Sequence, residues 1–325
     1  MADEDGPELR PASPRGEQID VGTMIEIARH YYLEDWSKVA LADKYDLSRF
    51  QIARALRDAR QRGMVRIEIS GDGVIDPRLG ELVARKLHLQ TAVVTKPSAL
   101  ATSIVVRQLG KALADFLSAT VAEGQVLGLT WSRVADSAAE QLAHLERATI
   151  VELVGPLQVD GDIGGAGEAV RRFADVGGGE AVPMYAPMIV DSARTAEALR
   201  QSPEVRETLA WHDRLDVAVL SISAWGSAQS RLYRWLTPDL RRLGQSLGAC
   251  GEISGRIFTG TGDPVVEVVD ARLIGVTIEQ MRSARLSIGT SWGHGNAGAI
   301  RAAAAAGFVS GVVIDSDAAA ALLAT

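Results

Sequence analysis

Between residue 91 and the C-terminus stand seven candidate strands, most of them apolar almost throughout rather than at alternate positions: Ala92–Thr95, Gln125–Leu129, Thr149–Val154, Ala181–Ala186, Leu215–Ile222, Leu286–Ser291 and Gly311–Asp315. An alternating strand needs one buried face, whereas a strand apolar throughout needs two. Helical patterns separate these runs, at Thr102–Ala119, Arg133–Leu145, Glu168–Asp175, Arg194–Gln201, Pro203–Trp211 and Asn296–Ala306. Strands buried on both faces and alternating with helices make a parallel sheet covered by helices. The fold class predicted for 91–325 is therefore α/β, Rossmann-like. A hydrophobic fraction of 47% is ample for such a core.

Sheets of this kind bind ligands beyond the carboxyl ends of their strands. Three loops qualify. Gly128-Leu129-Thr130-Trp131-Ser132 leads from a strand into the helix at Arg133, where free backbone N–H groups suit a phosphate. Ser221-Ile222-Ser223-Ala224-Trp225-Gly226 ends another strand in small residues that let a ligand come close. Gly293-His294-Gly295-Asn296-Ala297-Gly298 is formally G-x-G-x-x-G, with Asp315 at the distance of a ribose-binding acid. A nicotinamide-dependent enzyme therefore has to be weighed. Against it, only ten residues follow Asp315, too few for the remaining strands of a dinucleotide fold. No metal-ligand spacing, G-x-S-x-G elbow or phosphate-binding G-x-x-x-x-G-K motif is present, so neither catalytic residues, nor a metal, nor a cofactor is expected.

The front of the chain reads differently. From Ser37 to Gly63, Val39, Leu41, Ala42, Tyr45, Leu47, Ile52, Ala55 and Leu56 fall on the inner faces of two short helices. Asp46 stands at the corner, where a left-handed backbone is usual, and Ser48 can cap the second helix. This is the pattern of a helix-turn-helix with Ser48 to Arg60 as the recognition helix. From Ser48 to Arg66 there are six arginines and one acid, a local charge of +5 in a chain whose net charge is −7. DNA is the partner this implies; an ordinary helical hairpin with a solvated arginine face is the alternative. The candidate DNA-binding residues are Ser48, Arg49, Phe50, Gln51, Arg54, Arg57 and Arg60. Arg49, Gln51 and Arg54 are expected to read bases, and Arg57, Arg60 and Arg62 to meet phosphates.

Residues 1–18 are polar and Pro-rich, without a signal-peptide core, and are expected to form a disordered tail. Asp20–Leu33 has the period of a first helix beneath the pair. Met64–Ile69 alternates and precedes the turn Gly71-Asp72-Gly73, which predicts a wing-like hairpin and closes a DNA-binding domain at 19–75. Asp76–Leu89 predicts a helix that links the domains across 76–90. The only cysteine, Cys250, lies among small residues as a small hydrophobe. No apolar run is long enough to span a bilayer, and a cytoplasmic protein is expected.

Taken together, these segments resemble the SorC/DeoR-type sugar-binding transcriptional regulators. The resemblance rests on Ala28-Arg29-His30-Tyr31-Tyr32, Leu47-Ser48-Arg49 and Ala59-Arg60-Gln61-Arg62-Gly63-Met64-Val65 in front. Behind, it rests on Leu127-Gly128-Leu129-Thr130-Trp131, Ala186-Pro187, Gly248 through Arg256, and Ala299-Ile300 with Asp315 downstream. It implies an effector domain related to sugar-phosphate isomerases, a sugar, polyol or sugar-phosphate effector, and a dimer or tetramer on operator DNA. By the resemblance, Gly128, Thr130 and Trp131 lie in the effector pocket, with Glu252 and Arg256 as further candidates. The candidate loops add Ser132, Gly226 and Asn296. Two departures stand out: Ser132 replaces a glycine after the tryptophan, and Asn296 replaces a lysine. Loss of that lysine takes a positive charge from the site and puts a phosphorylated ligand in question. An enzyme on the same scaffold, isomerase-like or NAD-dependent, is the alternative function.

Overall fold

The computed structural model describes residues 19–34, 36–65, 75–96, 101–159, 162–164 and 167–324. The chain divides into two compact units, Met1–Gly71 and Asp72–Thr325.

The first unit contains α1 (Val21–Leu33), α2 (Lys38–Tyr45) and α3 (Arg49–Gln61). Their inner faces bury Met24, Ile27, Ala28, Leu41, Ile52, Ala55, Leu56 and Ala59 around one small core. Each helix starts on a side-chain cap: Asp20 accepts the Thr23 N–H, Ser37 that of Ala40, and Ser48 that of Gln51. Asp46 ends α2 in the left-handed conformation, with φ 51°, as the corner requires. The predicted wing spans residues that lie largely outside those described. Met64 and Val65 pack onto the first core, whereas Ile75 bridges Thr95 in the second unit.

In the second unit, helices α4 (Pro77–Leu87), α5 (Thr102–Thr120), α6 (Arg133–Gln141), α7 (Gly167–Gly177), α8 (Ala193–Arg200), α9 (Pro203–Trp211), α10 (Arg231–Trp235), α11 (Pro238–Ser246), α12 (Ile278–Ser283), α13 (Ala297–Ala305) and α14 (Ser316–Ala324) surround the sheet. The strands are β1 (Thr91–Thr95), β2 (Val126–Leu129), β3 (Thr149–Glu152), β4 (Leu157–Val159), β5 (Asp162–Gly164), β6 (Glu180–Val182), β7 (Val217–Ala224), β8 (Ala249–Ile253), β9 (Arg256–Thr259), β10 (Leu286–Ser291) and β11 (Gly311–Asp315). Seven of them form a parallel sheet in the order β1-β11-β10-β7-β2-β3-β6.

Both faces of that sheet are buried, as the unbroken apolar runs demand. Leu127, Leu129, Val217, Val219 and Val313 pack under α5, α6 and α7. The alternate residues Ala218, Leu220, Ile222, Val312 and Ile314 pack on the other side with α4, α13 and α14. The helix expected to link the domains is built into this unit: α4 lies on β1 and α14, burying Val83 and Leu87.

Several elements differ from the sequence reading. The strand expected at Ala181–Ala186 stops at Val182 because Pro183 has no N–H for the ladder. The helix from Arg133 ends at Gln141, short of Leu145. The antiparallel pair β8–β9 was not foreseen. It joins through Ser254 and Gly255, both at positive φ (48° and 89°), as a two-residue hairpin turn requires. This pair extends the sheet locally: the last three residues of β7 leave the parallel ladder and pair antiparallel with β8.

Candidate functional site

The strand order reverses between β2 and β7. From β2 the chain proceeds outward through β3 and β6; from β7 it proceeds the other way through β10 and β11. Loops that leave adjacent parallel strands in opposite directions open a crevice at their carboxyl ends. A cleft occupies that place, where ligands of such sheets bind.

Ser221 and Ser223 of β7, Ser254 and Gly255 of the hairpin turn, and Glu252 of β8 line the cleft with polar groups. Trp131, Leu157, Met188, Leu232 and Trp292 supply apolar surface. Gly155 also lines it, and a Cβ there would sit 1.7 Å from the Ala186 carbonyl oxygen, so only glycine allows this approach. Two cations complete the lining. Arg133 lies 4.8 Å over the Trp292 ring and Arg231 4.4 Å over the Trp131 ring. Arg231 also donates to the Leu157 carbonyl at 2.9 Å.

Two carboxyl groups are tuned by these surroundings. Glu252 is buried; its carboxylate accepts the Gly255 N–H at 3.0 Å and the hydroxyl of Ser230. Burial outweighs these neutral donors and pushes its pKa up to about 7. Asp136, one turn into α6, accepts a side-chain hydrogen bond from Trp131. Burial raises it to about 6, helped by nearby Glu140 and opposed by the Trp131 bond and Arg231.

Of the residues singled out in the sequence for the effector, Trp131, Ser132 and Glu252 line the cleft. The Ser132 hydroxyl faces α6, however, and caps it by accepting the Ala135 N–H. The others hold the scaffold. Thr130 is 1% exposed; its hydroxyl donates to the Val219 carbonyl and accepts the Ser221 N–H, both at 3.1 Å. It stitches β2 to β7 beneath the serines that line the cleft. Gly128 makes room for Leu153 and Leu215 within the sheet packing, and Gly226 turns the chain at φ 82°. The Arg256 guanidinium is spent on the Val276 and Gly275 carbonyls and on Asp270 at 2.7 Å. The Asn296 amide is fully engaged: its oxygen accepts the Ala224 N–H and its nitrogen donates to Gln229 and the Trp292 carbonyl.

The third loop also serves the scaffold. Asp315 Oδ1 accepts the N–H groups of Gly293 and Ala318, which ties the glycine loop to the end of β11. Cys250 is half-buried, and burial pushes its thiol pKa up, as for a packing residue. Among the described residues, no group of three or more His, Cys, Asp or Glu side chains is placed to hold a metal. Nor is any described helix long and apolar enough to cross a membrane. The sequence reading missed Arg133, Arg231, Gln229 and Trp292. Each stands at the edge of a helix or loop that only the fold brings to the β2–β7 crevice.

In the first unit, α3 presents a second surface. Phe50, Arg54 and Arg57 are exposed opposite the buried face, and Arg49 and Arg60 are exposed beside it. Ser48 and Gln51 are committed elsewhere: the Ser48 hydroxyl accepts the Gln51 N–H, and Gln51 Oε1 accepts the Ser48 N–H at 2.8 Å. This reciprocal capping box takes the Gln51 carbonyl oxygen away from the base-reading role expected of it.

Residues 74–324 match the family described as "Putative sugar-binding domain". The chain belongs to that family. The sugar-binding domain thus coincides with the second unit and contains the whole cleft. Over nearly full length the chain is similar to YjhU, a transcriptional regulator of Escherichia coli K12, with 26% identity over 307 residues, 90% of this chain and 92% of that protein. It is likewise similar to the deoxyribonucleoside regulator of Bacillus subtilis, with 22% identity over 92% of this chain and 96% of that protein. The crystal structure of the full-length sorbitol operon regulator SorC from Klebsiella pneumoniae shares the fold, with a TM-score of 0.71 and 21% identity over 94% of this chain and all of that one. The resemblance to SorC/DeoR-type regulators drawn from the separated motifs is borne out. The sugar-binding domain is the part on which these similarities and the cleft geometry coincide.

Proposed function

We propose that this chain is a DNA-binding transcriptional regulator, acting in the cytoplasm, whose operator affinity is set by a sugar, polyol or sugar-phosphate effector held in the β2–β7 cleft. The observation that carries the reading is the pairing, in one chain, of a sugar-binding domain with a helix that exposes Arg49, Arg54, Arg57 and Arg60. On this reading α2 and α3 form a helix-turn-helix, and α3 lies in the major groove. The names of the relatives, regulators rather than enzymes, support it.

Within the cleft, Glu252, Ser221 and Ser223 suit the hydroxyl groups of a sugar, since hydroxyls donate well to a carboxylate. Arg133 and Arg231 suit an anionic end. The positive charge that the family places at position 296 is thus replaced by cations from α6 and α10, and a phosphate remains compatible with the site. One helix-turn-helix contacts few base pairs, so the regulator acts as a dimer or tetramer on a repeated site.

A thermal-shift screen of the full chain against sugars, polyols and their phosphates tests the effector, because a ligand of the folded state raises the melting temperature. Binding to promoter DNA is then measured with and without the ligand found. Binding free energies are linked, so an effector that changes DNA affinity must have its own affinity changed by the same factor. A ligand that binds tightly without altering DNA affinity would refute effector control. Sedimentation of a monomer both with and without DNA would refute the assembly.

A further inference from the structure

Phe50 is 89% exposed, more than any other large apolar side chain among the described residues. Its place on α3 is specific. At 3.6 residues per turn, the buried Ile52, Ala55, Leu56 and Ala59 form one stripe. The stripe opposite consists of Phe50, Arg54, Arg57 and Gln61, all exposed. Arg49 and Arg60 flank it on one side; Gln51, locked in the capping box, and Asp58 lie on the other. An aromatic ring therefore stands on the centre line of the outward face, in the first turn, with cations along and beside it.

A surface of this composition fits a polyanion that has an apolar feature on its floor. The major groove of DNA is such a surface: phosphates line its edges, and the one apolar group that its floor presents is the C5-methyl of thymine. Ring contact with that methyl discriminates thymine from every other base without a hydrogen bond.

We propose that Phe50 is a specificity-determining residue that recognises thymine, its ring packing on C5-methyl groups while Arg54 and Arg57 of the same stripe engage the groove around it. The proposal rests on the DNA-binding reading above. It assigns base discrimination to an apolar contact, where the charge pattern alone suggests only arginines.

The test is made on the full-length chain with DNA enriched from a random-sequence library, selected with and without a pool of sugars and sugar phosphates. Each thymine of the enriched site is then replaced singly by deoxyuridine, which removes only the methyl group. The wild-type chain is expected to lose about fourfold in affinity at one or two positions, the worth of one methyl group taken out of water. F50A should be indifferent to those same replacements and F50L should keep part of the effect. Because the replacement is made in the DNA, no question of protein folding enters that arm. Deoxyuridine replacements that change nothing, or an F50A chain that remains as sensitive to them as the wild type, would overturn the assignment while leaving the regulator reading intact. An F50A chain with an altered oligomeric state in the absence of DNA would overturn it in favour of a contact between copies. A wild-type chain that enriches no sequence would remove both readings together.

Discussion

Trp131 donates a side-chain hydrogen bond to Asp136, so the ring that lines the cleft is held from behind by a carboxyl whose pKa lies near 6. The ordinary value is 3.8. Between about pH 4 and 6 the folded state therefore binds more protons than the unfolded chain, and stability falls as pH rises through that interval. Replacing Asp136 by Asn removes the titration while leaving an acceptor for the tryptophan. Thermal melts of D136N are expected to show a smaller loss of melting temperature from pH 4 to pH 7 than the wild type.

Glu252 faces the cleft with a pKa of about 7. A sugar hydroxyl donates more strongly to the carboxylate than to the neutral acid, so a bound ligand favours the charged form. Affinity for an uncharged sugar or polyol should rise as pH rises from 6 to 8, with proton release on binding. Calorimetry in buffers of different ionisation enthalpy reads that proton, and E252Q should abolish both effects.

Thr130 and Asn296 give the opposite of what their loop positions suggest. Thr130→Val leaves the Ser221 N–H without its acceptor and should cost about 1–3 kcal/mol of stability, while ligand affinity below the melting transition stays unchanged. Asn296→Lys places an ammonium where an amide now makes three bonds and should cost roughly 3–5 kcal/mol. It should not improve the binding of phosphorylated sugars. Denaturant unfolding and ligand titration on each variant separate the two quantities. By contrast, R133A and R231A should weaken phosphorylated ligands more than neutral ones.

On DNA, the exposed arginines divide by their distance from the start of α3. Arg49→Ala should cost about 1–3 kcal/mol on the cognate site and relax preference at one base pair. Arg60→Ala should weaken all sequences alike and lower the slope of affinity against salt by about one counterion. Anisotropy titrations at several salt concentrations distinguish these outcomes. Equal effects of both substitutions on specific and random DNA would refute the division.

The sheet was legible because burial on two faces leaves apolar runs such as Val312-Val313-Ile314, and β1, β10 and β11 follow the expected runs within a residue. The signals at the corner of α2 and α3 were equally plain, since Asp46 and Ser48 act through neighbours three or four residues away. The site was only half visible. Trp131 and Glu252 sit in motifs, but Arg133 and Arg231 are nearly a hundred residues apart and meet only through the strand order. Thr130 and Arg256 bond the scaffold, which their sequence positions do not reveal. A polar side chain near a strand end looks the same in sequence whether it faces a ligand or satisfies a backbone group behind it. Nothing local in the sequence signals that β7 changes partners at Ile222, which is why β8 and β9 went unforeseen.

That change of partners has a consequence for how such proteins diversify. The hairpin carrying Glu252, Ser254 and Gly255 is joined to the sheet by three residues of β7 and turns on two residues of its own. The parallel ladder of β7 with β2 and β10 is complete without it. The body of the hairpin is nonetheless fixed to the domain, since Ile253, Ile257 and Phe258 are buried in the main core and Arg256 bonds Val276, Gly275 and Asp270. Its polar positions at the cleft are the exchangeable part: replacing Glu252 and Ser254 by the residues of a relative of different sugar preference should shift that preference while the sheet and its register stay as they are.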